Sequence, residues 1–376
     1  MVLEFNTDDY IAGHNYAYLV TDLRTNEVLA ELPFQDVSYN VKLSEAGEFN
    51  GTLFVNDETS VYDLRNTLFP GRVGLYVVRD EEPVWGGIIW KRKYDSSSRK
   101  LSIIANGFES YLGAREQLTQ KTFTNTDQLD IARWLLENGG TAQSILADVS
   151  DRTSPRKRDR TFNRFEHKTV LDELTRLGNL IDGFDWNVEI YKDPETQEIR
   201  RLFQFYYTAR GVPADQTDLY WEYPGSIRTF TLSEDADAGA NVVYAIGAGE
   251  GVDQLEASAV VSEQLDQGFP ILEKSRSYKS VVLPQTLQSH AEKDRDRLSS
   301  PITIFEVTVS ANDEPQLGSY AIGDWARFRI EDQFVTPMID QYARITGISV
   351  TIDDGTGLER VALTLGGEEV TTEDEL

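Results

Sequence analysis

Three histidines, His14, His167 and His290, are the side chains here most suited to holding a metal or relaying a proton, yet no H-E-x-x-H or comparable spacing joins them. Each reads as a surface residue or a satisfied core residue. Cysteine is absent, so thiolate metal sites and disulfides are excluded and the fold stands on burial alone. That composition suits synthesis in a reducing cytosol. No G-x-S-x-G elbow occurs. Gly247, Gly249 and Gly251 form G-x-G-x-G, but Glu250 sits inside the loop and Val252, Asp253 and Gln254 follow, which suits a turn rather than a phosphate cradle. Asp353-Asp354-Gly355 lacks the spacing of a calcium loop and reads as a hairpin tip. Carboxylate pairs of the kind that cleave glycosides arise by chance among 63 acids and carry no information. The expectation is no catalytic residue, no metal and no cofactor.

Charge narrows the partners. Acids outnumber bases 63 to 36, the formal charge is -27 and the pI is near 4.5, so the surface as a whole repels a nucleic acid backbone. Such a surface could line a passage without gripping what passes, or serve solubility alone. One feature opposes this background: Arg152, Arg156, Lys157, Arg158, Arg160 and Arg164 crowd what reads as a short loop. Either the loop is solvated and balances nearby acids, or it docks on an acidic partner or touches DNA transiently. Arg156, Lys157, Arg158 and Arg160 are the candidate interaction residues.

The 376 residues, 40% of them hydrophobic, are enough for two or three compact domains. The start carries Glu4, Asp8 and Asp9 and shows no secretory pattern, and no stretch approaches the roughly 20 apolar residues of a membrane span. Residues 37–43 (VSYNVKL) and the FNGTLFV run alternate as half-buried strands, and Val73, Leu75 and Val77 mark another. Short strands with Gly and Asp turns predict a sandwich or barrel. The period then changes. TDQLDIARWLLENGG predicts a helix with Thr126 or Asp127 as N-cap and Gly139-Gly140 as its stop, and Thr169 with Asp172 forms capping-box order for a second helix running to Gly183. A hairpin, FDWNVEIY and RRLFQFYY, turns at Asp193-Pro194. Beyond it come a strand through Val242, Tyr244 and Ile246, a helix opened by Pro284, and a strand facing Phe305, Val307 and Val309 inward. The acidic tail is expected to fray.

A strand, turn, strand unit occurs twice. Gly87 opens IIWKRKYDSSSRKLSIIA and Gly107 closes it, while Gly347 opens ISVTIDDGTGLERVALTL and Gly366 closes it, each after an alternating strand that starts near Gly71 or Gly323. Two equivalent β-modules per chain would let three chains present six units, although any two antiparallel hairpins share this layout.

The order of these segments resembles the baseplate-hub, or tail-tip, minor tail proteins of tailed bacteriophages. The resemblance runs through VWGGIIWKRKY with its NGF, TVLDELTRLGNLIDGFDWNVE, the YPGSI to NVVYAIGAGEG run, and LPQTLQSHAEKD before YAIGDWARF, from about residue 35 to 366. It implies a mainly β fold with an α/β part: two tube-type antiparallel β-barrels flanking a helix-and-hairpin domain, assembled as a pseudo-sixfold homotrimer. The expected divisions are 1–115 (first barrel), 116–222 (two helices plus hairpin) and 223–376 (second barrel, with an insert near 252–300). It also implies a place at the virion tail tip, with the tail tube, distal tail, tape measure and receptor-binding proteins as partners and DNA passing without specific binding. The peptidoglycan hydrolase or fibre stem that some relatives append is expected to be absent. Two alternatives are a cell-wall hydrolase and a glycan-binding module using Trp85, Trp90 or Trp221.

Overall fold

Alternation of period two builds most of the regular secondary structure of this chain. A computed structural model describes residues 13–56, 59, 62–138, 145, 148–180, 182–236, 239–279, 281–299 and 302–366. Gly139-Gly140, Ile181 and the acidic tail lie outside the described residues. The first segment forms β1 (Tyr16–Asp22), β2 (Val28–Glu31), β3 (Gln35–Lys42) and β4 (Glu48–Phe54), a one-turn helix α1 (Leu64–Thr67), then β5 (Val73–Arg79), β6 (Glu82–Asp95) and β7 (Lys100–Gly107). Val37 and Tyr39 of β3 and Phe49 and Leu53 of β4 are buried, as their alternation requires. Strand β5 is buried on both faces, because Val73, Leu75 and Val77 enter one core while Tyr76 enters a second.

The middle segment supplies that second core. A 3-10 stretch (Phe108–Ala114) leads to β8 (Lys121–Asp127), α2 (Gln128–Asn138), β9 (Asp148–Val149), β10 (Lys157–Phe162), α3 (Val170–Gly178), β11 (Asp185–Lys192) and β12 (Ile199–Tyr206). The Asp127 carboxylate accepts the Leu129 N–H at 2.9 Å, which satisfies one orphan donor at the start of α2. The predicted capping box opens α3: Asp172 N–H donates to Thr169 Oγ1 at 3.0 Å and Thr169 N–H to Asp172 Oδ2 at 3.3 Å. Leu129, Ala132, Leu135 and Leu136 of α2 pack with Val170, Leu174 and Leu177 of α3. Helix α3 ends at Gly178, a turn earlier than Gly183 predicts. At the β11–β12 tip, Asp193 Oδ1 accepts the N–H groups of Glu195 and Thr196, both at 2.9 Å.

The third segment holds β13 (Tyr220–Tyr223), β14 (Ile227–Asp235), β15 (Val242–Ile246), β16 (Glu256–Val260), α4 (Ser262–Asp266), β17 (Glu273–Ser277), α5 (Pro284–Leu298), β18 (Ile302–Ser310), β19 (Trp325–Ile330), β20 (Ile339–Ile352) and β21 (Glu359–Gly366). Pro284 occupies the first turn of α5, where its missing N–H costs nothing. Strands β15, β16 and β17 form a separate three-stranded sheet whose small core (Ala245, Ala259, Tyr278, Leu287, Ala291) is closed by α5.

The remaining strands make one sheet of thirteen, in the order β14-β18-β21-β20-β3-β4-β7-β6-β5-β1-β2, with β19 on β20 and β13 on β19. Two closed barrels are the sequence expectation, but among the described strands neither module closes. The reason lies in β20, which has 14 residues: its first half pairs with β19 and its second half with β3, so the edge of one module is occupied by the first strand of the other. One hydrophobic core therefore spans both modules, from Tyr18 to Leu365.

Candidate assembly surface

The strand order shows the duplication to be structural. In the first module β3-β4-β7-β6-β5 are neighbours in that order, and in the second β14-β18-β21-β20-β19, with every pairing antiparallel. In chain order the fourth strands of the two units, β6 and β20, each have 14 residues, and the fifth, β7 and β21, each have 8. A single extra residue bulges each long strand at the same place, Trp90 between Ile89 and Lys91, and Thr346 between Ile345 and Gly347. Just before it, the Gly71 N–H donates to Ile89 O and the Gly323 N–H to Ile345 O, both at 2.7 Å. Gly71 and Gly323 have φ of +75° and +94°, a backbone state that favours glycine. Chance resemblance of two hairpins does not reproduce a shared bulge, glycine and hydrogen bond.

Pairing across the ladder sets the equivalences. Ile89 faces Ala105 as Ile345 faces Leu365, Phe49 faces Ala105 as Phe305 faces Leu365, and Tyr39 faces Phe49 as Leu232 faces Phe305. Lys91 is therefore the counterpart of Gly347, so the glycines that suggested the repeat in sequence are offset from one another in space. The insert of β15 to α5 falls between β14 and β18, where the first module has only the short turn between β3 and β4.

Polar side chains lock the middle segment to both modules. Arg344, 1% exposed, donates to the Asp185 carboxylate, to Gly323 O at 3.0 Å and to Arg210 O at 2.8 Å. Asp185 also accepts the Arg210 N–H at 2.6 Å, and Asp324 accepts the Val212 N–H at 2.8 Å. On the other side Asn26 joins Tyr76 (2.7 Å) to Arg201 (3.1 Å), whose guanidinium lies over the Phe108 ring at 4.6 Å. A cavity of about 250 Å³ sits at the junction, lined among others by Tyr39, Trp85, Glu109, Asn187 and Tyr320. Glu109 is buried there and accepts the Val188 N–H at 2.9 Å; burial pushes its carboxyl up to about 7. Within the shared core, Glu359 takes a bidentate Arg79 (2.6 and 2.9 Å) and the Tyr16 hydroxyl. Arg344, Glu109 and Glu359 escape sequence reading because isolated charged residues carry no local signal.

The basic cluster is only partly a loop: Arg152 and Arg156 precede a strand and Arg164 follows it in a 3-10 turn. Lys157 to Phe162 is strand β10, paired with β8. Arg158 is buried and donates to Gln128 Oε1 at 2.8 Å, and Arg160 pairs with Glu173 at 2.6 Å above the Phe162 ring. Arg156 is half-buried beside Asp182 at 3.8 Å, and Lys157 is exposed. The tryptophans are largely core residues: Trp221 stacks on Phe328 at 5.4 Å and Trp85 donates to Asn40 O at 3.0 Å, both buried, while Trp90 is half-buried with its N–H on Ser110 Oγ. The histidines occupy three unrelated settings, His14 on Asp80 (2.5 Å), His167 on Glu116 (2.8 Å) and His290 stacked on Tyr278. The G-x-G-x-G run turns out of β15 into a 3-10 turn at Gly251–Asp253, and Asp353 accepts the N–H groups of Gly355 and Thr356 at the β20–β21 tip. Among the described residues no helix is long and apolar enough to cross a membrane, and no group of three or more His, Asp or Glu is placed to hold a metal ion.

No protein-family model matches the sequence, and no curated protein matches it. Solved structures do. A tail protein from Neisseria meningitidis MC58 superposes with a TM-score of 0.61 at 15% identity, over 95% of this chain and 98% of that one. The 43 kDa tail protein of prophage MuSo2 from Shewanella oneidensis gives 0.62 at 13%, over 94% and 99%. A chain of a PdpA–VgrG complex gives 0.54 at 8%, over 98% of this chain and 67% of that one. The chain therefore has the fold of phage tail proteins over nearly its whole length, in agreement with the resemblance read from its sequence.

Proposed function

We propose that this chain is a structural virion protein, the trimeric hub of a phage baseplate, which joins a hexameric tail tube and distal tail ring to the host-contacting tip. The observation that carries the reading is the duplicated five-stranded unit on a tail-protein fold: two equivalent units in one chain allow three chains to match sixfold symmetry. In this reading the sheets close into a tube wall only in the trimer, and residues 1–115 and 223–376 supply the wall while 116–222 buttress it. The net charge of -27 suits a lumen that lets DNA pass without retaining it. The hub is not an enzyme; the tape measure protein and receptor-binding proteins meet it at the virion tail tip, and the exposed side of Arg156 and Lys157 is offered to an acidic partner. An obligate trimer interface of this kind buries more than roughly 2,000 Å². Light scattering of the purified chain is expected to give three times 42.5 kDa, with rings of threefold symmetry in electron micrographs. A stable monomer at assembly concentrations overturns the reading.

A further inference from the structure

The two modules of one chain are joined by a ladder in which β3, the first strand of one unit, lies against the second half of β20, the fourth strand of the other. Lys42 faces Gly347, Val41 faces Ile348, Asn40 faces Ser349, Tyr39 faces Val350 and Ser38 faces Thr351. Each partner has a counterpart left over. Among the described residues, the counterpart of β3 is β14, which pairs only with β18, and the counterpart of residues 347–351 is residues 91–95 of β6, which pair only with β7. Both are open sheet edges, and an open edge offers unpaired N–H and C=O groups to another chain.

We infer that residues 91–95 of one protomer pair antiparallel with residues 231–235 of the next, repeating between chains the contact that β20 and β3 make within one. The ladder equivalences set the register: Lys91 faces Asp235, Arg92 faces Glu234, Lys93 faces Ser233, Tyr94 faces Leu232 and Asp95 faces Thr231. Side-chain chemistry agrees with it. The edge of β6 carries Lys91, Arg92 and Lys93, and in this register Arg92 lies directly opposite Glu234 of β14, so opposite charges meet. Tyr94, counterpart of the buried Val350, is 52% exposed in the single chain, and the half-buried Leu232 would cover it as Tyr39 covers Val350. Arg92 is half-buried, its guanidinium over the Phe69 ring (5.5 Å) and donating to the carbonyls of Arg65 (2.5 Å) and Leu68 (3.2 Å), which fixes a positive charge beside this edge. The contact is heterologous, so each copy donates one edge and receives another. Only the number of copies in the closed ring rests on the hub reading.

The absence of cysteine makes the register directly testable. Directly opposed residues of an antiparallel pair have Cα atoms about 4.5–5.5 Å apart, within disulfide reach. The double variant Tyr94→Cys/Leu232→Cys, mildly oxidised, is expected to run on a non-reducing gel as a covalent three-chain species that dithiothreitol returns to single chains, while either single variant stays a single chain. Tyr94→Cys/Ser233→Cys, displaced by one residue and hence onto the opposite face, is expected to cross-link poorly. A variant that needs no thiol, Glu234→Arg, should raise the concentration at which the oligomer dissociates by about tenfold or more. A trimer by light scattering that neither cross-links in this register nor responds to Glu234→Arg refutes the pairing and leaves the hub reading standing; a monomer refutes both.

Discussion

Replacing Arg344 with Ala probes the joint between the middle segment and the second β-module. The side chain is 1% exposed and makes three contacts there, to the Asp185 carboxylate, Arg210 O and Gly323 O. Its removal leaves the Arg210 N–H as the donor still seen on Asp185 and strips a donor from two carbonyls. Losing one partner of a buried pair costs about 3–5 kcal/mol, against about 0–1 kcal/mol for an exposed one. Trp186 and Trp221 stand on either side of the joint, so urea unfolding followed by tryptophan fluorescence reads the change as a lower midpoint at constant slope. Arg344→Lys, which keeps the charge but not the planar fork, is expected to fall between wild type and Ala. A cost below about 1 kcal/mol for Ala would show that the segments are held together by apolar packing and that the ion pair is incidental.

Trp221→Ala removes the ring stacked on Phe328 and edge-on to Tyr320 (5.1 Å), and is expected to lose about 3–5 kcal/mol in the same unfolding assay. Glu109 is expected to make stability fall as pH rises. Its folded carboxyl titrates at about 7, above the ordinary 4.5, because burial outweighs the Val188 N–H and Glu189 adds repulsion that Arg210 partly offsets. Between those two values the folded state keeps a proton that the unfolded state has lost, so the contribution is fully present below the lower value and gone above the upper, by about 3 kcal/mol at most. Glu109→Gln should flatten that slope and raise the urea midpoint at pH 8. Along β10, Arg158→Ala is expected to cost about 1–3 kcal/mol by leaving Gln128 Oε1 without its donor, whereas Lys157→Ala should stay within about 0.5 kcal/mol of wild type while weakening any acidic partner in a pull-down.

Local chemistry made much of this chain legible from sequence. Alternation marks β3, β4, β18 and β20, Thr169 and Asp172 mark the start of α3, and Pro284 marks the start of α5, because period, caps and φ restriction act over a few residues. Charge and the lack of cysteine bounded the chemistry for the same reason. Other features depended on residues far apart. The basic run at 156–160 reads as a solvated loop until β8 pairs with it and turns Arg158 and Arg160 inward, and Trp85 and Trp221 read as available aromatics until Phe49 and Phe328 cover them. The repeat itself was visible, but its register was not: a bulge at Trp90 or Thr346 shifts which residue faces which, and glycines that look equivalent along the chain are not so across the ladder. Whether the modules stand apart or share a sheet was likewise settled in three dimensions, by β20 having enough length to pair with β19 and β3 in turn, since strand partnership is decided by long-range hydrogen bonding that no short window of sequence encodes.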